Sequence, residues 1–410
     1  MALNQLQEEM EIAAVKDRMD HVIGVWKDMT LVWGGRGSKM KFWDPEIVHC
    51  YLDGIWMKKR TRGEVPPPIA GPGAGIIGDQ LFVACGYTGI GKLAEDLFSQ
   101  VSITAVTDTL YKLDLNQWIW SKLEPGGTKP LKSFRMASWV SEKRLFLFGG
   151  IGKDKIGGYT YPESLKTHRD IAFVRSNQLV YYDSATNYWY WPPTHGKIPP
   201  PRMGFAACLT DDPNSKSNLS GSYVIVFGGR GHQRRYNNIV LLNLANMTWI
   251  NVSSNGLARS EDAGVWPEPR WLHTLTKVSE KTAVLYGGSG RGTLGDCWML
   301  NIEAVISQAN PENIWTRCFH HEGHKRQSHR AVMEPSCGRL WIVGGMDWPS
   351  SIVKCAVLIR ELSITSKQKL KVLAIEQVSR DPEKYGEAIT TLPQDLQRAI
   401  TTKAKNHIVT

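Results

Sequence analysis

The amino-acid sequence predicts an all-β protein, a six-bladed β-propeller followed by a short α-helical tail. Two observations predict the propeller. An apolar run that ends on a glycine pair occurs six times along the chain, and a Trp-bearing segment follows each of the first five runs. A third observation predicts the tail, because the glycine pairs stop near residue 366 and apolar residues then recur at helical spacing.

The six runs have the composition of buried strands. Apolar residues, many of them β-branched or aromatic, dominate them, and each run ends where the backbone needs a positive φ angle or a close neighbour. The pairs recur about every 62 residues, and Cys85 takes the place of the first glycine in the second run. The runs are TLVWGG (30–35), LFVACG (81–86), LFLFGG (145–150), VIVFGG (224–229), AVLYGG (283–288) and LWIVGG (340–345).

Each interval between glycine pairs repeats one order of segments. A strand that often ends in Asp or Asn comes first, and a Trp-bearing strand follows. A turn rich in Pro and Gly then leads to a strand that begins with Arg or His in four copies. Four short strands per unit at a long, regular period are typical of a propeller blade. The first two kinds of segment are TLYKLDL (109–115), LVYYD (179–183), IVLLNL (239–244), CWMLNI (297–302), IWMKKR (55–60), WIWSKL (118–123), YWYWPP (188–193), TWINVS (248–253) and IWTRCF (314–319).

The paired glycines, the aromatic strand downstream and the order of the Trp positions resemble kelch repeats, whose usual period is about 50 residues. This resemblance implies an N-terminal segment (1–17), a six-bladed kelch propeller (18–365) and a helical tail (366–410). One clear strand, KCAVLIREL (354–362), follows the sixth run, so MEIAAV (10–15) is a candidate strand to close the ring. An insertion at 152–177 predicts a long loop on one face.

Charge and cysteine content limit the classes of function. The net charge is +10, and the seven cysteines lack paired spacing, which favours reduced thiols in the cytoplasm or nucleus. The basic residues are dispersed apart from clusters at 230–235 and 324–330, a pattern that does not favour nucleic acid as a partner. We also expect no membrane association, since no apolar run approaches the ~18 residues of a span.

Two short helices are predicted in the tail. One helix face carries apolar or small residues at i, i+4 and i+8, and the second helix begins with Leu-Pro, where Pro suits an early helical position. On the residues themselves, two interpretations stay open: burial against the propeller, or docking of each helix in a partner's groove. The residues are Leu370, Ala374 and Val378 in the first helix, and Leu392, Pro393 and Leu396 in the second.

These two patterns resemble the elongin-binding box and the cullin box of adaptor-linked ubiquitin-ligase receptors. The Leu-Pro start resembles the cullin-2 type. The resemblance implies that the first helix binds elongin B/C with Leu370 as its anchor, and that the second lays its apolar ridge against cullin-2. Lys369 departs from the box, which usually has a small or hydroxyl residue there.

With this tail, the whole chain is similar to the small kelch-domain-containing substrate receptors of cullin-2 RING ubiquitin ligases. In that family a six-bladed propeller binds the extreme C-terminus of a substrate. A free carboxylate needs bidentate donors, which arginine supplies, and aromatic walls. The resemblance assigns this contact to Arg230, Arg235, Arg135, His273 and Trp271.

The match is uneven across the expected pocket. Arg230 and Arg235 agree with the family's two arginines in position and spacing, and Arg135 falls where the family has a basic residue. Trp271-Leu272 replaces the Ser-Trp of the diglycine-reading members, and Ile151 replaces their Tyr. The resemblance therefore implies that the carboxylate clamp is retained while the side-chain pocket differs. Kelch-loop arginines and blade histidines are also commonly structural, which is the competing interpretation.

We expect no catalysis by the chain itself and no cofactor. The histidines between 320 and 329 fall in a predicted inter-blade turn, which does not favour a metal site, and no nucleophilic triad stands out. The predicted function is a substrate adaptor that captures C-terminal degrons for degradation. Two other classes stay open: a kelch scaffold for cytoskeletal or nuclear partners, and an oxidase-type propeller enzyme with a bound metal.

Overall fold

The computed structural model describes residues 18–37, 41–52, 55–88, 106–153, 173–211, 222–253, 266–318, 324–333, 340–347 and 357–359. The N-terminal segment (1–17), its candidate closing strand (10–15) and the predicted helical tail (366–410) lie outside these ranges.

The first three blades follow the order expected from the repeats. Blade 1 contains β1 (Val22–Trp26), β2 (Met29–Trp33), β3 (Ile47–Leu52) and β4 (Ile55–Arg60). Blade 2 contains β5 (Arg62–Gly63), β6 (Ile69–Ala70), β7 (Gly73–Ile77), β8 (Gln80–Thr88), β9 (Val106–Asp114) and β10 (Ile119–Leu123). The segment of blade 3 and its insertion contains β11 (Gly126–Gly127), β12 (Ser133–Phe134), β13 (Ala137–Ser141), β14 (Arg144–Phe148), β15 (Ile151–Lys153), β16 (Phe173–Arg175), β17 (Leu179–Asp183) and β18 (Tyr188–Tyr190).

The other three blades repeat the pattern. Blade 4 contains β19 (His195–Gly196), β20 (Ala206–Asp211), β21 (Ser222–Phe227), β22 (Ile239–Asn243) and β23 (Thr248–Asn251). Blade 5 contains β24 (Thr274–Ser279), β25 (Thr282–Ser289), β26 (Thr293–Asn301) and β27 (Trp315–Arg317), with helix α1 (Ile302–Ile306) and a 3₁₀ turn (Pro311–Asn313) before β27. Blade 6 contains β28 (Arg330–Met333), β29 (Leu340–Val343) and β30 (Val357–Ile359). No helix in the described ranges is long and apolar enough to cross a membrane.

The six sheets form a closed ring. Within each blade the main strands pair antiparallel in chain order. The first strand of every blade contacts the first strands of both neighbouring blades, so these strands surround the axis; they are β1, β7, β13, β20, β24 and β28. Each of blades 2, 3 and 4 begins with a short strand, β5, β11 or β19, that pairs in parallel with the outer strand of the same blade. The predicted all-β, six-bladed kelch propeller is confirmed.

The core lies between adjacent blades, and the glycine-ended strands supply most of it. In β21 every residue from Val224 to Phe227 is fully buried, because such a strand is covered on both faces by neighbouring sheets. Hydrophobic clusters join residues of β21 with the next blade, where Phe227 packs against Trp315. The apolar runs read from the sequence are thus the interior layer of the ring.

Six residues form a closed belt of backbone hydrogen bonds around the axis. Each lies two residues before the first strand of its blade and has a φ between 54° and 63°. Each backbone N–H donates to the carbonyl of the belt residue in the preceding blade, at 2.6–3.1 Å. The belt residues are Asp20, Gly71, Arg135, Gly204, Leu272 and Ser328.

The glycine pairs tie each blade to the next one. In five blades the second glycine donates its N–H to a carbonyl two residues before the next belt residue, at 2.7–3.0 Å. The bond from Gly345 to Arg18 joins blade 6 to blade 1, and Arg330 Nε donates to the His21 carbonyl at 2.9 Å. The ring therefore closes through direct contacts between the first and last blades.

We expect Gly35→Ala to destabilise the propeller more than Gly78→Ala does. Both glycines have positive φ, 82° and 58°, so an Ala at either position costs about 1–2 kcal/mol in backbone conformation. A Cβ at Gly35 would also lie 2.6 Å from the Met19 carbonyl oxygen, whereas a Cβ at Gly78 meets nothing within 4 Å. Urea denaturation should give a free energy of unfolding lower by at least about 3 kcal/mol for the Gly35 variant. Equal losses would contradict crowding at the blade junction.

Candidate functional site

The end of the propeller where the glycine pairs lie, here called the glycine face, carries the belt side chains and six loops. In four blades the first loop residue pairs with the residue before the belt, as Arg230 does with Met203. The backbone thus fixes where each first loop residue leaves the sheet. The residues that directly follow the six glycine-ended runs are Arg36, Tyr87, Ile151, Arg230, Ser289 and Met346.

Asp20 holds two arginines at the centre of the glycine face. Its Oδ2 accepts from Arg135 Nη2 at 2.9 Å and from Arg36 Nη2 at 3.2 Å, and all three side chains are buried. Gly71, the belt residue between Asp20 and Arg135, has no side chain; a Cβ there would lie 3.4 Å from Arg135 Cγ. Burial alone would raise the pKa of Asp20, but Arg135 and Arg36 outweigh it and hold that pKa well below its usual range.

Trp271 lies close both to Arg135 of this ion-paired group and to Arg230 of blade 4. The Cζ of Arg135 lies 5.6 Å from its ring centroid, and the Cζ of Arg230 lies 5.1 Å from it. The structure therefore brings the three predicted site residues together around one indole. Trp271 belongs to a small apolar cluster completed by Phe134, Ile151, Met203 and Leu272.

Arg230 and Arg235 are adjacent across a tight loop. They pair as an isolated antiparallel bridge, and Gly231 N donates to the Arg234 carbonyl at 2.8 Å inside that loop. Arg230 is half-buried and Arg235 is exposed. Burial lowers the pKa of Arg230, and the charge of Arg235 lowers it further. Two like charges held this close favour an anion between them.

His273 lies inside the propeller, beneath the belt. It is 3% exposed, and its ring lies edge-on to Phe227 with the centroids 5.5 Å apart. His273 packs directly under Gly228, where an added Cβ would lie 2.7 Å from the His273 Cε1 atom. Phe205 packs in the equivalent place under Gly149. Burial, followed by the charge of Arg270, lowers its pKa from 6.5 to about 3. The structure does not bring His273 to the surface beside Arg230, which agrees with the structural interpretation of blade histidines.

Two groups of residues at this face were not recognised as such from the sequence. Four fully buried arginines each donate Nη1 to the carbonyl of the first glycine in their own blade, at 2.9–3.1 Å; they are Arg18, Arg202, Arg270 and Arg326. Asp20 is the other. Both occur within an Arg-x-x-His or Arg-x-x-Phe pattern that ends directly before the first strand of four blades. That motif was the available signal.

The described residues hold no group of three or more His, Cys, Asp or Glu side chains placed to bind a metal ion. Two of the histidines that the sequence analysis considered as metal ligands, His320 and His321, lie outside the described ranges. All six predicted elongin- and cullin-binding residues of the tail lie outside them too.

Comparisons with known proteins agree with the ring of repeats. A model of the KLHDC2/KLHL20/DRC7 Kelch-repeats domain matches residues 20–212 and 156–368. Kelch domain-containing protein 2 of Bos taurus is 25% identical over 413 residues, which cover 96% of this chain and 92% of that protein. Kelch domain-containing protein 1 of Mus musculus is 25% identical over 333 residues, covering 77% and 72%. Host cell factor 1 of Rattus norvegicus is 26% identical over 305 residues, which cover 73% of this chain but 13% of that protein.

We expect the stability of the protein to fall as the pH drops below about 6.5. His273 and His49 each have a folded pKa of about 3 against 6.5 in the unfolded chain, so unfolding takes up protons. Their contribution is complete above about pH 6.5 and is lost progressively towards pH 3, at up to about 1.4 kcal/mol per pH unit for each histidine. Urea denaturation between pH 7.5 and 5 measures this slope.

His273→Phe is the matched variant, because Phe205 already fills the equivalent position in blade 4. It should fold and show a shallower slope by about 1.4 kcal/mol per pH unit. A slope equal to that of the wild type would mean that His273 is not buried in its neutral form.

Proposed function

This chain belongs to the kelch-repeat family described by the KLHDC2/KLHL20/DRC7 domain, and we propose that it is a substrate-recognition adaptor of a cullin-2-type RING ubiquitin ligase. In this proposal the propeller binds the C-terminal carboxylate of a target protein as a degron. The tail recruits elongin B/C and cullin-2, in the cytoplasm or nucleus. Ubiquitin transfer belongs to the other subunits, and the propeller is not itself a catalyst.

The observation that carries the proposal is the pair Arg230 and Arg235 beside Trp271. Two guanidinium groups on one tight loop offer the paired N–H donors that a carboxylate accepts. The indole stacks on one of them at 5.1 Å and supplies an apolar wall. A free C-terminus is the one carboxylate that every protein tail shares, whatever its side chains.

Arg135 has a different place in the proposal. Its guanidinium already donates to Asp20, a carboxylate of the chain itself. We therefore assign the substrate carboxylate to Arg230 and Arg235, and give Arg135 the role of a positive charge beside the Trp271 ring. The pair Asp20–Arg135 would keep that charge in place.

The recruitment half of the proposal rests on the tail residues named above. The elongin-binding residues would be Leu370, Ala374 and Val378, and the cullin-binding residues Leu392, Pro393 and Leu396. A kelch scaffold without ligase partners is the alternative, and the tail is what distinguishes the two.

Amidating the C-terminus of a bound peptide should weaken its binding about 100-fold or more. The neutral amide leaves two guanidinium groups without their charged acceptor, and charge-assisted bonds are worth about 1.5–3 kcal/mol each. Fluorescence polarisation with a peptide selected from a C-terminal library would measure the change. Arg230→Gln should cause a similar loss, whereas Arg60→Gln, an exposed arginine on the outer strand of blade 1, should bind as the wild type does. Equal affinities of the acid and the amide would refute carboxylate capture.

Leu370→Asp should abolish co-purification with elongin B/C, and Leu392→Asp should abolish co-purification with cullin-2. A charge at the centre of a helix-in-groove contact would be desolvated without a partner. Peptide binding by the propeller should be unchanged in both variants, which serves as the folding control. Undiminished capture by the variants would refute the assignment to these tail residues, and failure of the wild-type protein to capture elongin and cullin would remove the ligase assignment and favour the scaffold.

A further inference from the structure

The two ends of the propeller differ in charge. At the end opposite the glycine face, three hairpin turns each carry one lysine and one acid: Lys27 with Asp28, Glu142 with Lys143, and Glu280 with Lys281. At the glycine face, the loops 230–236 and 289–293 carry four arginines and no Asp or Glu: Arg230, Arg234, Arg235 and Arg291. These three turns are each neutral, whereas the two neighbouring loops of the glycine face are basic.

The loops display these arginines in an ordered arrangement. The Arg234 guanidinium stacks on Tyr236 at 5.3 Å, and Arg202 stacks on the same ring at 4.3 Å. In the next blade, the backbone N–H of Arg291 donates to Glu268 Oε1 at 3.1 Å, which holds that loop. The side chains of Arg234 and Arg291 are exposed to solvent. They are therefore presented at the surface by a fixed backbone.

Two acids of this region already have partners. Asp20 accepts from Arg135 and Arg36, as described above, and Glu268 accepts from the backbone of Arg291. A C-terminal carboxylate on Arg230 and Arg235 would leave the charges of Arg234 and Arg291 beside the path of the bound tail.

We infer that the glycine face selects protein tails with Asp or Glu side chains shortly before the C-terminus. This inference rests on the proposed function. An extended peptide advances about 3.3 Å per residue, so side chains three to six residues from the end lie within about 20 Å of the carboxylate. Exposed ion pairs are individually weak and are screened by salt, so several of them tune selectivity and do not replace the clamp.

A peptide fits this surface better than a nucleic acid does. The arginines lie on two neighbouring loops, whereas a nucleic acid needs a longer basic stripe along its phosphate backbone. The Trp271 wall and the paired Arg230 and Arg235 also suit a chain end. A single-stranded RNA is therefore included in the test as a competitor.

Three peptide libraries would test the inference. Each consists of labelled decapeptides with randomised last two residues and with Glu, Gln or Lys at positions three to six from the C-terminus. At about 50 mM salt we expect the Glu library to bind the full-length protein about tenfold more tightly than the Lys library, with Gln between them. At about 500 mM salt the difference should vanish.

The double variant Arg234→Ser/Arg291→Ser should reduce the Glu-to-Lys preference to about twofold while the Gln library binds as before. Lys27→Ser/Lys281→Ser changes the net charge equally at the opposite end and should keep the preference. Equal binding of the Glu and Lys libraries, or equal effects of the two double variants, would overturn the inference. So would a ten-nucleotide RNA that displaces the Glu peptides at equal concentration.

Amidated Glu peptides separate this inference from the proposed function. If amidation abolishes binding but the libraries bind equally, the carboxylate clamp stands and the acidic preference fails. If amidation has no effect while the Glu library still binds best, the clamp fails and the face is an acidic-peptide site.

Discussion

The closed belt of six backbone hydrogen bonds is the constraint on which the rest of this propeller depends. Each belt residue takes the left-handed backbone conformation, and its N–H and carbonyl then point along the ring to the two neighbouring blades. This geometry sets the spacing of the first strands around the axis. It also directs the residue after the belt inward, under the glycine pair of the previous blade, where His273 and Phe205 both pack. A ring closed this way has no free edge at its centre.

The belt also determines what the glycine face presents. Its side chains point across the mouth of the axis, and two of the six positions are glycine. Arg135 reaches over one of them, Gly71, to bind Asp20. A buried ion pair adds little net stability, because desolvation of both charges offsets their attraction. Its effect here is positional: it holds the Arg135 guanidinium near the Trp271 ring, which Arg230 also approaches.

Scaffold and selectivity therefore have separate origins in this molecule. The repeats, the glycine pairs and the buried arginines maintain a kelch ring at about 25% identity to its relatives. The residues around the mouth, such as Ile151 and Trp271, can change without disturbing that ring, since the belt is made of backbone groups. The same fold can then offer different surfaces to different partners.

Sequence by itself determined the elements of this fold, because strands and turns are written in local patterns. The six apolar runs became β2, β8, β14, β21, β25 and β29, and the Trp-bearing segments became the outer strands of five blades. The sequence also predicted that Arg230 and Arg235 are neighbours, because both lie within one six-residue stretch of a single loop. Tertiary structure alone decided that Asp20 pairs with Arg135, 115 positions away, and that His273 is buried. Those outcomes depend on which blades meet across the axis, and a local pattern of residues carries no information about a contact between distant segments.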